Sequence, residues 1–295
     1  MIRPFLSLKS LILSLIAVSI LAQRQLHAQP IPTNIPDRER CAATEGRSPF
    51  AIDYYYDLAL GLGSVSLTVT GLIMEHRVEG WDGEETFSKR NINEVDRVWY
   101  NEYRPAVDTM GTVTALTNVI ALPVGIYAAE AVMNNLPPGE LATVGVMLTE
   151  SYLTGYGVRN IIKSIAKRPR PYMYRGKWDT DHLEDGDYTL SFPSGHTTDA
   201  FMGATFLSYT FCKYYPESRF KVPVIAASYT LAATTGFLRI ASGNHFLSDV
   251  LTGAALGTAV GIVVPFVHEK IAKVKYRGQQ VLAFDGQSLT ATLKF

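Results

Sequence analysis

Apolar residues in this chain gather into runs of membrane-spanning length, separated by densely charged stretches. Leu58–Met74 is uncharged but rich in Gly, Ser and Thr. Thr109–Ala129 is uncharged and long enough to cross a bilayer. Leu141–Val158 is broken only by Glu150, and Thr197–Tyr214, Val222–Leu238 and Val250–Val267 come after it. The last of these is apolar on every face, as a helix among lipids or deep in a bundle must be. The pattern predicts an all-α fold: a membrane-embedded helical bundle of five to six core helices. The count turns on Leu58–Met74, whose weak hydrophobicity suits an interfacial or re-entrant segment better than a full crossing. The tail changes period. Val281–Phe284, an Asp285-Gly286 turn and the alternating Leu289–Phe295 read as a short C-terminal β-hairpin-like tail.

The first residues have a different character. Arg3 and Lys9 precede the apolar run Ser10–Ala22, and the small residue Ala28 comes after a short polar stretch. A basic start, a short apolar core and a small residue match an export signal, with an uncleaved anchor as the alternative. The expected organisation is therefore a signal peptide or anchor over 1–28, an irregular Pro-rich segment over 29–55, a helical domain over 56–270 and a tail over 271–295. The 295 residues carry 27 basic and 27 acidic side chains, so no global basic field points to a nucleic-acid partner. Two cysteines, Cys41 and Cys212, are too few for a disulfide framework and read as unrelated thiols.

Three short motifs in the second half carry chemistry. Lys163 and Arg170-Pro171 are spaced by nearly two helical turns, so both cations could share one side of a helix end and meet a phosphate. Pro193-Ser194-Gly195-His196 opens an apolar run. Ser194 can cap the helix, Gly195 lets backbone approach a ligand, and free amides at a helix start form an anion site. His196 there could protonate a leaving oxygen. Arg239, then His245 and Asp249 at i,i+4, sets a carboxylate beside an imidazole and could fix its tautomer. Taken singly, each is also an ordinary helix end or junction. Glu150 is expected to face the bundle interior, and Asp199, one turn after His196, could tune that histidine. The acidic run Asp179–Asp187 lacks the ordered spacing of a calcium loop and reads as solvated.

Together the motifs resemble the type 2 phosphatidic acid phosphatase (PAP2) and vanadium haloperoxidase superfamily. Its pattern is Lys-x6-Arg-Pro, Pro-Ser-Gly-His and Ser-Arg-x5-His-x3-Asp. The resemblance covers roughly residues 55 to 270, and one position departs from it: Leu238 stands where the family has Ser. It implies that Lys163, Arg170 and Arg239, with Ser194 and the Gly195 amide, hold the phosphoryl oxygens. It further implies that His245 attacks phosphorus, that Asp249 orients His245, and that His196 protonates the leaving alkoxide and later activates water. The implied activity is hydrolysis of a phosphate monoester or pyrophosphate of a lipid through a phosphohistidine, with no metal and no cofactor. The implied partners are a phosphorylated lipid substrate and the membrane. A soluble acid phosphatase of the same superfamily, a vanadate-dependent haloperoxidase and a non-catalytic membrane scaffold are the competing readings.

Lys213, Arg219, Lys221, Lys270, Lys273, Lys275 and Arg277 gather on the side away from the motifs, and such an excess marks the cytoplasmic face. The expectation is a bacterial inner-membrane protein whose site faces the periplasm. With a cleaved signal, that orientation requires Leu58–Met74 not to cross.

Overall fold

The computed structural model describes residues 48–81, 86–175, 183, 186–278, 282–284 and 289–291. The expected signal or anchor, Cys41 and most of the acidic 179–187 stretch lie outside the described residues.

Helix α1 (Tyr54–His76) starts at Asp53, whose carboxylate accepts from the Tyr55 and Tyr56 amides. After the short α2 (Glu94–Arg97), α3 (Pro105–Leu116) passes through one π-helical turn, Thr117–Ala121, into α4 (Leu122–Val132). The long helices α5 (Pro138–Ala166), α6 (Gly195–Tyr214), α7 (Lys221–Ala241) and α8 (Leu247–Gly278) complete the bundle. Leu282–Phe284 and Leu289–Ala291 pair as a short antiparallel ladder. The expected turn between them lies outside the described residues.

Contacts at matching heights give each helix its direction. α1 runs parallel to α5: Thr68 donates to the Leu153 carbonyl at 2.9 Å, and Asn160 donates to Glu75 at 2.7 Å. α3 and α7 are antiparallel, with Asp108 against Arg239 and Thr114 against Thr235. α6 and α8 are parallel, because Gly253, Gly257 and Gly261 lie against Ser194, Thr198 and Met202 in order. A methyl at Gly257 would collide with the Thr198 carbonyl, so only glycine permits this approach. With α3 and α4 taken as one passage, the chain traverses the bundle six times. All three motifs fall at one end.

Leu58–Met74 therefore differs from its expectation. It belongs to a continuous 23-residue helix, about 34 Å long at 1.5 Å per residue, that lies along α5. Its small polar residues explain the weak hydrophobicity: Ser64, Thr68 and Gly71 are the buried stripe against α5, while Leu58, Leu62, Val69 and Ile73 face outward.

Four passages, Tyr54–His76, Pro105–Val132, Lys221–Ala241 and Leu247–Lys275, are long and apolar enough to cross a membrane. Their outer faces expose Val113, Val124, Phe237, Leu251, Val263 and Phe266, the reverse of a water-soluble surface. This is a membrane protein. α5 and α6 are more polar because they are central: Val144, Met147, Leu153, Met202, Phe206 and Phe211 fill the core between them and their neighbours. At the motif end an aromatic cap closes the bundle, with Tyr172, Met173, Leu183 and Tyr188 packed against Trp81, Phe87 and Tyr174.

Candidate active site

The motif residues reach one place because four helices, α5 to α8, end or begin there and two tight turns redirect the chain. α5 stops at Lys167, which adopts a left-handed conformation (φ 42°). Pro169 then restricts Arg168 to extended backbone, and Arg170 folds back over the helix end. Between Arg239 and His245 the turn is made by Gly243 at φ 78°, where a side chain would strike the Glu102 carbonyl.

His245 is buried, 1% exposed. Its Nδ1 lies 2.7 Å from the Ser191 carbonyl, which can only accept, so Nδ1 carries the proton. Nε2 therefore presents a lone pair, and it sits 3.4 Å from Arg170 Nη1. Burial first, then the charges of Arg170, Arg239 and Lys163, hold the imidazole well below its ordinary pKa. His245 is thus a neutral nitrogen base ringed by cations.

Asp249 does not bond this ring directly, its Oδ2 being 3.7 Å from Nδ1. The carboxylate accepts instead from the Ser191 hydroxyl at 2.5 Å and the Phe246 amide at 2.8 Å, and pairs with Arg168 at 2.5 Å. It is linked to the imidazole through Ser191, the residue whose carbonyl accepts from the ring. Arg168 continues the network to Asp96 at 2.6 Å and stacks on Phe246. Burial alone would raise the Asp96 carboxyl, but hydrogen bonds from Ser248 and Arg168 outweigh it and hold it below the usual carboxylate range.

Three cations lie within electrostatic reach of His245: Arg170, Arg239 and Lys163. Arg170 is oriented by Asp187 at 2.6 Å and by Asn244. Arg239 pairs with Asp108 and keeps its buried Nε–H without an acceptor. Lys163 lies within electrostatic reach of Arg170, Arg159 and Asp187. His196 donates to or accepts from Thr112 through Nε2 at 3.2 Å, within electrostatic reach of Arg239, Arg159, His245 and Lys163.

Ser194 occupies the N-cap position of α6 but makes no side-chain cap; its hydroxyl pairs with Thr197 at 2.8 Å. The cap expected from the sequence is absent, which leaves the first amides of α6 available to an anion. Gly195 rests on the Arg159 guanidinium, which holds the Gly195 carbonyl at 2.6 Å. Arg159 also takes Asp199, at 2.5 Å, so Asp199 supports the floor of the site rather than His196.

The structure thus gathers Lys163, Arg170, Ser194, Gly195, His196, Arg239, His245 and Asp249 at one end of the bundle. Sequence reasoning missed Arg159, Arg168, Ser191, Asp96, Asp108 and Asp187. Asp187 falls in the run expected to be solvated, yet it pairs with Arg170. Ser191 and Arg168 lie within a few residues of motif positions, which is a signal of sorts. Asp96 and Asp108 come from distant segments and left none.

The profile of the PAP2 superfamily matches residues 144–272. A lipid A 1-phosphatase of Porphyromonas gingivalis is 40% identical over 87 residues, 29% of this chain and 18% of that protein. Phosphatidylglycerophosphatase B of Bacillus subtilis is 32% identical over 90 residues, 30% of this chain and 44% of that protein. The chain thus spans less than half the length of these relatives. Among solved structures, a transmembrane PAP2-type phosphatidylglycerolphosphate phosphatase from Bacillus subtilis has a TM-score of 0.44 at 20% identity, covering 70% of this chain and 96% of its own. LpxE of Aquifex aeolicus has a TM-score of 0.40 at 22% identity, covering 60% and 98%. All three motifs lie within residues 144–272, the part of the chain that is similar to the PAP2 superfamily.

Proposed function

We propose that this protein is a membrane phosphatase that hydrolyses the phosphate monoester or pyrophosphate of a lipid through a phosphohistidine on His245. One observation carries the reading: a buried neutral imidazole with Nδ1–H committed to a carbonyl and its Nε2 lone pair facing Arg170. Nε2 attacks phosphorus in line, and the P–O bond to the lipid breaks as the P–N bond forms. His196, protonated once the negative charge of the phosphate lies beside it, gives that proton to the departing oxygen. It then takes a proton from water as the water oxygen attacks phosphorus and the P–N bond breaks, releasing inorganic phosphate. Lys163, Arg170 and Arg239 balance the equatorial oxygen charge, with the Ser194 hydroxyl and the Gly195 amide at the start of α6. The unpartnered Arg239 Nε–H supports this, since a buried guanidinium donor without an acceptor fits an incoming anion. Asp249 positions His245 through Ser191.

The relatives' names, a lipid A 1-phosphatase and a phosphatidylglycerophosphatase, support a phosphorylated membrane lipid as substrate. Phosphatidate, phosphatidylglycerol phosphate, polyprenyl pyrophosphate and lipid A phosphates are the panel to test. The outward aliphatic faces weigh against a soluble acid phosphatase. The site is proposed to face the periplasm from the inner membrane, because Lys213, Arg219, Lys221, Lys270, Lys273 and Lys275 lie at the end away from the motifs.

The test is trapping. Purified protein quenched during turnover of a phosphate-labelled lipid should carry label on His245. His245→Ala should fold, lose turnover and take no label; a variant retaining near-normal rate overturns the mechanism.

A further inference from the structure

At the end opposite the motifs, three helices bring together a second cluster that the phosphatase chemistry does not use. Asp57 of α1, Glu150 of α5 and His268 of α8 are 1%, 4% and 0% exposed, and one ligand atom from each lies within 4.8 Å of the others. Glu150 precedes Lys163 by 13 residues on α5, a rise of about 20 Å.

The hydrogen bonding is incomplete in a particular way. His268 Nδ1 lies 3.1 Å from the Ala51 carbonyl, which can only accept, so Nδ1 carries a proton. Nε2 then faces Glu150 Oε2 at 2.8 Å, an acceptor facing a ring nitrogen. Something positive must lie between them. A shared proton would satisfy that one contact. It would leave Asp57 Oδ1, 3.5 Å from His268 Nδ1, and Glu150 Oε1 buried without a donor, as both are here. Two carboxylates with one imidazolium also leave a net negative charge buried between helices, which is costly. A divalent ion answers both problems, since it neutralises two carboxylates beside a neutral imidazole and accepts several oxygens at once.

We infer that Asp57, Glu150 and His268 form a binding site for a divalent transition cation of the zinc or manganese class. Two carboxylates and one imidazole are the donor set such ions take, with a remaining position for water. The Nδ1–H bond to Ala51 is the outer contact that fixes the tautomer and leaves Nε2 for the metal. The ion ties α1, α5 and α8 together beside Phe50, where the Ala51 amide already donates to the His268 carbonyl at 3.4 Å. Its role is structural, remote from phosphate chemistry.

The experiment uses untagged full-length protein in detergent, stripped with EDTA and then dialysed against Zn²⁺ or Mn²⁺. Metal content by mass spectrometry should reach about one ion per chain, with a rise in Tm. His268→Gln and Glu150→Gln should each cut retained metal by about tenfold or more and abolish the Tm rise. Glu150→Gln keeps the size and polarity of the side chain, so it reports even where His268→Gln fails to fold. The initial rate of phosphate release, taken well below Tm, should be the same in stripped and loaded protein. No retained ion and no Tm shift in the wild type overturns the proposal in favour of a shared proton. Metal retained undiminished in both variants overturns it by locating the ion elsewhere. Neither result touches the phosphohistidine reading, which stands or falls on His245 labelling.

Discussion

Asp249→Asn separates two ways of holding a nucleophilic histidine. Where a carboxylate bonds the ring N–H directly, the amide stabilises the wrong tautomer, and the loss in kcat is about 10⁴-fold. Here the Nδ1 proton goes to the Ser191 carbonyl at 2.7 Å, with Asp249 at 3.7 Å. Asparagine at 249 leaves that carbonyl in place, so the tautomer survives. What is lost is the charge that Arg168 and the Ser191 hydroxyl use to steady the turn carrying the carbonyl. One weakened charge-assisted contact is worth about 1.5–3 kcal/mol. If most of it is felt as misplacement of Nε2, kcat falls by about 10–100-fold, since each factor of ten is about 1.4 kcal/mol. KM should change little, because Asp249 touches none of the cations proposed to hold phosphate, Lys163, Arg170 and Arg239. The assay is steady-state phosphate release from a lipid phosphate in mixed micelles, with circular dichroism to confirm folding. A folded Asp249→Asn protein slowed by about 10⁴ would refute the reasoning and mean that Asp249 bonds Nδ1 in the working enzyme.

Three further outcomes are expected. Initial activity should survive EDTA at a temperature well below Tm and be inhibited by vanadate, because side-chain cations and amides supply the charge stabilisation; complete loss with EDTA, restored at once by a divalent ion, contradicts this. His245 has a folded pKa below its unfolded value of about 6.5, so the unfolded chain binds the extra proton. Its stabilising contribution is full above about 6.5 and is lost as pH falls through the folded value, and the acid limb of kcat/KM due to His245 should lie below 6.5; a limb above that value contradicts the assignment. In cells expressing protein without Cys41 and Cys212, Glu94→Cys at the motif end should react with an impermeant thiol reagent and Glu217→Cys should not; the opposite labelling would turn the site towards the cytoplasm.

The three motifs were legible because each is short and ends or begins a helix, so local spacing already sets which side chains face the pocket. The helices were legible from their apolar runs, including α7 and α8, which expose those runs outward. Leu58–Met74 was underread because its glycines and hydroxyls look weakly hydrophobic along the chain, whereas in the bundle they are the face packed on α5. The Ser194 cap position is correct, but Thr197 captured the hydroxyl. The partners that hold the motif residues come from elsewhere: Asp108 and Asp96 lie far from the arginines they meet, and no spacing rule connects them. Asp57, Glu150 and His268 are separated by most of the chain and converge only through the parallel pairing of α1 with α5 and the antiparallel return of α8.

Six traverses are an even number, and that parity links the two ends of the bundle. The stretch before Tyr54 and the end of α8 emerge into the same compartment, so reporters fused before and after the helices must agree. With His245 open to the periplasm, Phe50 starts in the cytoplasm, and a leader that carried its downstream chain outward could not precede it. The apolar stretch Ser10–Ala22 would then have to act without translocating the residues between it and α1. A mature N-terminus near Gln29, mapped outside the cell membrane, would instead turn the whole bundle over and present the phosphate pocket to the inner leaflet. Peptide mapping of the N-terminus therefore reports, at a distance, which leaflet supplies the substrate.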